Sequence, residues 1–196
     1  LIPADPAQFG GGNKGNSSLE EQLMRRTTVS KAVDADSYSI PKGGCIYVPD
    51  ALVFRDSEQK SGYSWFKTPR KVSFILASSV RNPKYETKNR VVEMDSGSTE
   101  ATKAVLRTVL RAGLKNGHDA IVLPAFGCGF NGNPPQAVAG ILRDLLTGEF
   151  SNTYKHVTFS IIEDENSNKT HNPDGNVRSF QTEFLTVRKT SGGGCC

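Results

Sequence analysis

Apolar and polar residues follow one another along this chain in segments with different periods, and these periods predict both strands and helices. Residues 45–54 and 71–80 are rich in β-branched and aromatic side chains, which is typical of strands. Residues 120–125 form a short continuous apolar run, as expected for a strand in a buried parallel sheet. Residues 157–162 are predicted to form a further strand.

Three other segments have the composition and period of helices. A helix is predicted over residues 18–33, and an amphipathic helix over 99–116, with Ser98 as its N-cap and Gly117 just beyond its end. Residues 134–146 begin with proline, which is favoured in the first turn of a helix. Strands that alternate with helices in this way predict an α/β layered domain.

The remaining segments are predicted to lack regular structure, apart from a short strand at the start. Residues 1–17 suggest a strand stub followed by a glycine loop, and the polar residues 55–70 and 166–176 suggest loops. Residues 191–196 have the composition of a flexible tail.

Length and composition fit one globular domain. The chain has 196 residues, of which 36% are hydrophobic and 22% charged, so it can bury a sizeable core. No apolar run approaches the roughly 20 residues of a membrane span, and the first residues lack the basic and apolar regions of a signal peptide. We therefore expect a cytoplasmic or nuclear protein.

Charge and cysteines restrict the chemistry. The formal net charge of +4 suits an anionic ligand without requiring DNA as a partner. Four cysteines, Cys45, Cys128, Cys195 and Cys196, lack the spacing of zinc ligands. This pattern favours a reducing compartment. Neither a metal nor another cofactor is expected.

The pattern with the most chemical content is a glycine triplet, Gly10, Gly11 and Gly12, followed after six residues by Leu19, Glu20 and Glu21. Glycines let the backbone approach a bulky anion because they carry no Cβ. Carboxylates at the start of the predicted helix place general acid/base groups beside such an anion.

A second glycine-rich loop lies between the predicted strand at 120–125 and the helix at 134–146. It consists of Gly127, Cys128, Gly129, Phe130, Asn131 and Gly132. Consecutive amides in such a turn bind phosphate, helped by the N-terminus of the following helix. We expect a positive φ at Gly129, where a branched residue would both strain the backbone and block a phosphate. A packed thiol is the favoured interpretation of Cys128, with a nucleophile as the alternative.

Taken together, these motifs resemble the microbial-type poly(ADP-ribose) glycohydrolases, a branch of the macrodomains. The resemblance rests on GGG-NKGNSS-LEE, on the segments 46–56 and 117–129, and on Gly132-Asn-Pro-Pro135, which occur in the family's order over about residues 1–165. It implies a three-layer α/β/α macrodomain-like fold with a mixed central sheet. In this interpretation residues 1–165 form the catalytic domain, residues 166–190 a C-terminal extension of it, and 191–196 the tail.

The resemblance also implies an activity, which is hydrolysis of the O-glycosidic ribose–ribose bond of poly(ADP-ribose). The expected partners are poly(ADP-ribose) or an ADP-ribosylated protein as substrate and ADP-ribose as product. Glu21 matches the family's catalytic glutamate, and Glu20 matches the glutamate that binds and orients the ribose. The diphosphate is expected between the two glycine loops.

The sequence departs from the family's pattern in three regions. Leu19 stands where the family has glutamine, and Asn131 stands where it often has an aromatic residue, with Phe130 one position earlier. Ile2 and Asp5 stand where the family has asparagines, so we expect the sheet to lack the family's outer N-terminal strand or strands.

Several alternatives stay open at this stage. Ser18-Leu-Glu-Glu21 is also a capping box, in which Glu21 would only bind the N-cap amide. The whole chain could be a non-catalytic ADP-ribose reader or a remnant that binds nothing. The ending Gly192-Gly-Gly-Cys-Cys196 resembles a doubly prenylated tail, which would add a membrane as a partner; the alternative is a disordered tail.

Overall fold

The computed structural model describes residues 1–11, 18–34, 38–89, 91–163, 165 and 167–190. The chain divides into two compact units, Leu1–Ser78 and Ser79–Cys196. Helices and strands occur in both units, so the predicted mixed α/β class is confirmed, and the sheets include both parallel and antiparallel pairs.

The first unit is built on a mixed three-stranded sheet in the order β1-β3-β2. Its elements are β1 (Ile2–Pro3), a 3₁₀ turn (Phe9–Gly11), α1 (Leu19–Arg26), α2 (Val29–Ala32), β2 (Cys45–Arg55), α3 (Glu58–Ser61) and β3 (Trp65–Ala77). Strand β1 pairs in parallel with the end of β3, whereas β2 and β3 form a long antiparallel pair.

The core of the first unit lies where β1, β2 and the end of β3 meet. Ile2 and Leu76, register partners in neighbouring strands, are fully buried. Val29 from α2 is also fully buried, and Val48 and Phe74 pair across β2 and β3. Burial of each such side chain contributes about 1.5–3 kcal/mol. Phe9, at the start of the 3₁₀ turn, packs against this cluster, which connects the turn to the sheet.

The second unit consists of helices and two short two-stranded sheets. Its elements are β4 (Tyr85–Lys88), β5 (Val91–Met94), α4 (Ser96–Lys115), β6 (Ala120–Leu123), α5 (Pro135–Thr147), β7 (His156–Phe159) and α6 (Asn176–Thr190). Strands β4 and β5 are antiparallel, and β6 and β7 are parallel. Helix α5 packs against both α4 and α6 through an apolar face that includes Val138, Leu142 and Leu145.

Two predicted helices begin or end at other residues than the sequence suggested. The helix predicted over 18–33 is interrupted at Thr27, which has extended dihedral angles and forms an antiparallel bridge with Val53. Helix α4 begins three residues earlier than predicted, because Asp95 rather than Ser98 is its N-cap: the Asp95 carboxylate accepts a hydrogen bond from the Ser98 amide. Gly117 follows the helix with a φ of 78°, as predicted.

The prediction of a loop over 55–70 is wrong for much of that segment. Helix α3 and the first residues of β3 lie there. Strand β3 tolerates Pro69 because this residue has no register partner, so no ladder hydrogen bond is lost. Among the described residues, no helix is long and apolar enough to cross a membrane.

Candidate functional site

Gly10 of the glycine triplet lies beside Glu20 in the first unit, and Glu21 follows on the same helix. Gly10 has a φ of 76° within the 3₁₀ turn, a value that favours glycine, and Gly11 ends the turn. Gly12 lies outside the described residues. Helix α1 follows, and its N-cap Ser18 accepts a hydrogen bond of 3.2 Å from the Glu21 amide.

Glu20 ties the glycine turn to the end of β1. Its side chain is 3% exposed, and its two carboxylate oxygens accept hydrogen bonds from the amides of Asp5, at 2.9 Å, and Gly10, at 3.0 Å. Burial raises the pKa of Glu20, and the two amide donors partly oppose this effect. Glu20 therefore shapes the backbone that precedes α1.

The Glu21 carboxylate has a different partner, which lies on the same helix. It is 8% exposed, and its carboxylate forms an ion pair with Arg25, four residues later on α1. Arg25 also donates a hydrogen bond of 3.4 Å to the Tyr63 hydroxyl. In the capping box, the Glu21 amide makes the bond to Ser18 while the carboxylate is held by Arg25, so the cap and a chemical role of the carboxylate are compatible.

Glu20→Gln is expected to lower the unfolding free energy by about 1–3 kcal/mol. Glutamine offers one acceptor oxygen where the carboxylate has two, so one of the two amides, Asp5 or Gly10, would face an NH₂ group. Thermal melts of wild type and variant check this, with the same change at the exposed Glu100 of α4 as the control. Equal melting temperatures would show that Glu20 does not hold the turn.

The pH dependence of that difference has a definite sign. The pKa of Glu20 is raised in the folded protein, so folding favours its protonated form. The resulting stabilisation is complete below the ordinary glutamate pKa and is lost as pH rises through the raised value. We expect the melting temperature of wild type, relative to Glu20→Gln, to fall with rising pH across this interval.

The second glycine loop lies between β6 and α5 in the second unit, as predicted. Its shape depends on Asn133, which is fully buried and whose side-chain amide donates to the carbonyls of Val80, at 2.7 Å, and Gly127, at 3.0 Å. The positive φ values of the loop occur at Gly127 and Gly132. The expected positive φ at Gly129 is therefore wrong.

Backbone amides in the middle of this loop are available to a ligand. Hydrogen bonds within the loop use the amides of Cys128 and Gly132. Within the described part of the chain, the amides of Gly129, Phe130 and Asn131 have no acceptor. Three successive amides of this kind form the backbone pattern that binds phosphate groups.

The side chains of the loop have separate surroundings. Phe130 is 88% exposed, with the Arg81 guanidinium 6.0 Å from its ring centre. Asn131 instead donates a hydrogen bond of 2.7 Å to the Ser79 hydroxyl, so its side chain is part of the loop's support. Cys128 is fully buried, as expected for a packed thiol.

Sequence reasoning assigned no role to Arg25 or Asn133. Arg25 could have been found from its i, i+4 spacing to Glu21, which places the two side chains on one helix face. Asn133 lies within a quoted motif, but its partner Val80 is 53 residues away, so no local pattern indicates the contact. Among the described residues, no three His, Cys, Asp or Glu side chains are placed to hold a metal ion.

Comparison with known proteins gives matches among solved structures. No protein-family model and no curated protein matches the chain. The poly(ADP-ribose) glycohydrolase of Deinococcus radiodurans in complex with ADP-ribose matches with a TM-score of 0.71 and 22% identity, covering 94% of this chain and 74% of that one. Another crystal form of the complex matches with a TM-score of 0.68 and 26% identity, covering 94% and 73%.

A second organism supplies a similar structure. The poly(ADP-ribose) glycohydrolase of Thermomonospora curvata bound to the inhibitor ADP-HPD matches with a TM-score of 0.73 and 24% identity, covering 92% of this chain and 68% of that one. These matches confirm the resemblance that the sequence motifs indicated, and the chain has the fold of the bacterial poly(ADP-ribose) glycohydrolases.

Proposed function

We propose that the protein binds ADP-ribose and hydrolyses the O-glycosidic ribose–ribose bond of poly(ADP-ribose). The observation that carries this proposal is the buried Glu21 carboxylate at the start of α1, next to Glu20, which binds the Gly10 amide, in a chain with this fold. The similar bacterial proteins are glycohydrolases, and their solved complexes contain ADP-ribose or ADP-HPD.

In the proposed reaction Glu21 acts twice. It first donates a proton to the oxygen of the departing ribose as the glycosidic C–O bond breaks, which leaves an oxocarbenium-like centre on the other sugar. The resulting carboxylate then accepts a proton from water as the water oxygen bonds to that centre, so Glu21 ends in its starting state. Arg25 pairs with the ionised carboxylate along α1 and so positions it between these two proton transfers.

Other residues are proposed to bind rather than react, and each unit contributes its own group. Glu20 holds the backbone at Gly10, so that the glycine turn can face the ribose and the adjoining phosphate. In the second unit, the amides of Gly129, Phe130 and Asn131 are proposed to bind phosphate oxygens. Phe130, which is largely exposed, offers a ring surface to a ribose.

Two measurements on the purified protein test the function and distinguish its alternatives. Calorimetric titration with ADP-ribose should show binding, and incubation with poly(ADP-ribose) should release ADP-ribose. Binding without cleavage would assign the protein as a reader instead, and no binding would contradict both functions. The buried Glu21 carboxylate favours the enzyme, because a reader needs no acid/base group.

The phosphate-binding loop has a separate test. Gly129→Val is expected to weaken ADP-ribose binding at least tenfold, or about 1.4 kcal/mol, because a branched side chain would cover the three available amides. Gly140→Val on α5 is the matched control, since among the described residues no atom other than the neighbouring helix backbone lies within 4 Å of a Cβ added there. Wild-type affinity in Gly129→Val would mean that the loop is only a connection between β6 and α5.

A further inference from the structure

The first unit carries an exposed antiparallel ribbon, which we define as residues 51–55 of β2 and residues 65–72 of β3. Lys71 pairs with Leu52, Arg70 with Val53, and Trp65 with Arg55. Along residues 65–72, every side chain except the half-buried Phe66 is exposed. A strand of this length is about 25 Å long, so the ribbon offers an extended surface.

The ribbon is strongly basic. It contains Arg55, Lys67, Arg70 and Lys71 and no aspartate or glutamate, although the whole chain has 24 basic and 20 acidic residues. Among the described residues, none of these four cations forms an ion pair. Unneutralised cations along an extended surface attract a polyanion, since each phosphate contact releases a counterion.

An exposed aromatic cluster lies at one end of the ribbon. Trp65 is 67% exposed and stacks on Phe54, with ring centres 5.2 Å apart and an angle of 25° between the ring planes. The Arg55 guanidinium lies 4.2 Å from the Trp65 ring centre. Consecutive strand residues normally point to opposite faces, but the register shifts between Val53 and Arg55, and such a bulge redirects side chains. Phe54 and Arg55 therefore both contact Trp65.

Aromatic rings beside a basic strand are the combination that binds single-stranded polyanions. Bases stack on the rings, each worth about 1–3 kcal/mol, and cations follow the phosphates. A chain of ADP-ribose units has both of these groups, an adenine and a diphosphate in every unit. A monomer can occupy the Trp65 end alone, whereas a polymer can contact the whole ribbon.

The ribbon is joined directly to the helix that carries Glu21. Thr27, which follows α1, bridges to Val53 of the ribbon. Arg26 donates a hydrogen bond of 3.4 Å to the Arg55 carbonyl. Arg25, the ion-pair partner of Glu21, contacts Tyr63 just before β3. Contacts of Arg25 and Arg26 therefore connect α1 to Tyr63 and to Arg55 of the ribbon.

We propose that this ribbon is a second binding surface for the poly(ADP-ribose) chain, which stacks an adenine on Trp65 and places diphosphates along Lys67 and Lys71. The proposal rests on the proposed function, because it takes the substrate of Glu21 as the ligand. It gives the enzyme a preference for long chains, since only a polymer contacts the ribbon while its end is at Glu21.

Binding is measured in a Glu21→Gln background so that the polymer is not cleaved. Fluorescence polarisation with a labelled poly(ADP-ribose) chain should show affinity at least tenfold lower in Trp65→Ala, while ADP-ribose affinity changes less than about twofold. The double variant Lys67→Gln/Lys71→Gln should reduce the slope of log affinity against log salt by about 1.4. The double variant Lys103→Gln/Lys115→Gln on α4, with the same change in charge, is the control and should keep the wild-type slope.

The outcomes distinguish a failure of the ribbon proposal from a failure of the proposed function. Should Trp65→Ala lose its fold in a thermal melt, the two lysines, which are exposed on the ribbon surface, still decide the question. Unchanged polymer affinity and salt slope in the lysine variant, with normal ADP-ribose binding, would overturn the ribbon and leave the function intact. Tighter binding of an oligoadenylate RNA than of poly(ADP-ribose) would also overturn it. Loss of polymer binding in the lysine variant would support the ribbon even if the protein cleaved nothing.

Discussion

Glu21→Gln is expected to lower the rate of poly(ADP-ribose) hydrolysis by about 10²–10⁴-fold and to leave the dissociation constant of ADP-ribose within about threefold. Glutamine has nearly the shape of glutamate, but it can neither donate the proton to the departing ribose oxygen nor accept one from water. Chain cleavage by the purified variant and calorimetric titration with ADP-ribose measure the two quantities.

The same variant decides between the catalytic role and the capping box. The cap bond to Ser18 is made by the amide of residue 21, which the substitution keeps. The substitution removes the charge–charge attraction to Arg25, and an i, i+4 ion pair on a helix contributes about 0.3–0.5 kcal/mol. We therefore expect a melting temperature close to that of wild type. A variant that melted several degrees lower and cleaved the polymer at the wild-type rate would show that Glu21 only stabilises the helix.

Glu100→Gln is the control for this experiment. Glu100 is exposed on α4 in the second unit, so the change removes one carboxylate without affecting Glu21. We expect wild-type rate and affinity. A similar loss of rate in Glu100→Gln would attribute the effect to net charge rather than to the position of Glu21.

Local patterns along the sequence predicted the parts of the fold that depend on neighbouring residues. The start of α1 at its Ser18 cap, the proline at the start of α5 and the parallel strand β6 were all expected, because caps, proline and apolar runs are local signals. The mixed α/β class followed from the alternation of these elements.

Elements that depend on distant contacts were missed. Helix α6 begins where Glu163 accepts hydrogen bonds from the amides of Asn176 and Val177, at 2.9 and 2.7 Å. A cap that comes from 13 residues earlier leaves no pattern at the helix start. The first half of β3 was missed for another reason: its side chains are exposed on both faces, so they show no alternation, and Pro69 is typical of a loop.

The candidate site shows the same division. The glycine triplet, Glu20 and Glu21 were found as a motif, since they are close in sequence. The motif did not indicate that Glu20 binds the Asp5 amide and Glu21 binds Arg25, because those contacts depend on how the chain turns between β1 and α1. The roles of the two carboxylates therefore required the structure.

Gly127→Ala is expected to lower the unfolding free energy by about 2–5 kcal/mol, the sum of a strained left-handed backbone and overpacking. Gly127 has a φ of 76°, and an added Cβ would lie 2.6 Å from the Asn133 side-chain nitrogen and 2.6 Å from the Ser79 Cβ and hydroxyl oxygen. Asn133 is buried and cannot move away without giving up its hydrogen bonds to Val80 and Gly127.

The substitution at Gly127 should also weaken ADP-ribose binding. Displacing Asn133 would release the turn that presents the amides of residues 129–131, so we expect ADP-ribose affinity to fall at least tenfold, or about 1.4 kcal/mol. Gly140→Ala is the matched control: apart from the neighbouring helix backbone, no atom of the described residues lies within 4 Å of its added Cβ, and alanine stabilises a helix by up to about 1 kcal/mol relative to glycine. In thermal melts, Gly127→Ala should therefore lower the melting temperature and Gly140→Ala should raise it. In titrations with ADP-ribose, only Gly127→Ala should lose affinity. A Gly127→Ala protein that melted and bound like wild type would show that neither the left-handed backbone nor the Asn133 contact supports the loop.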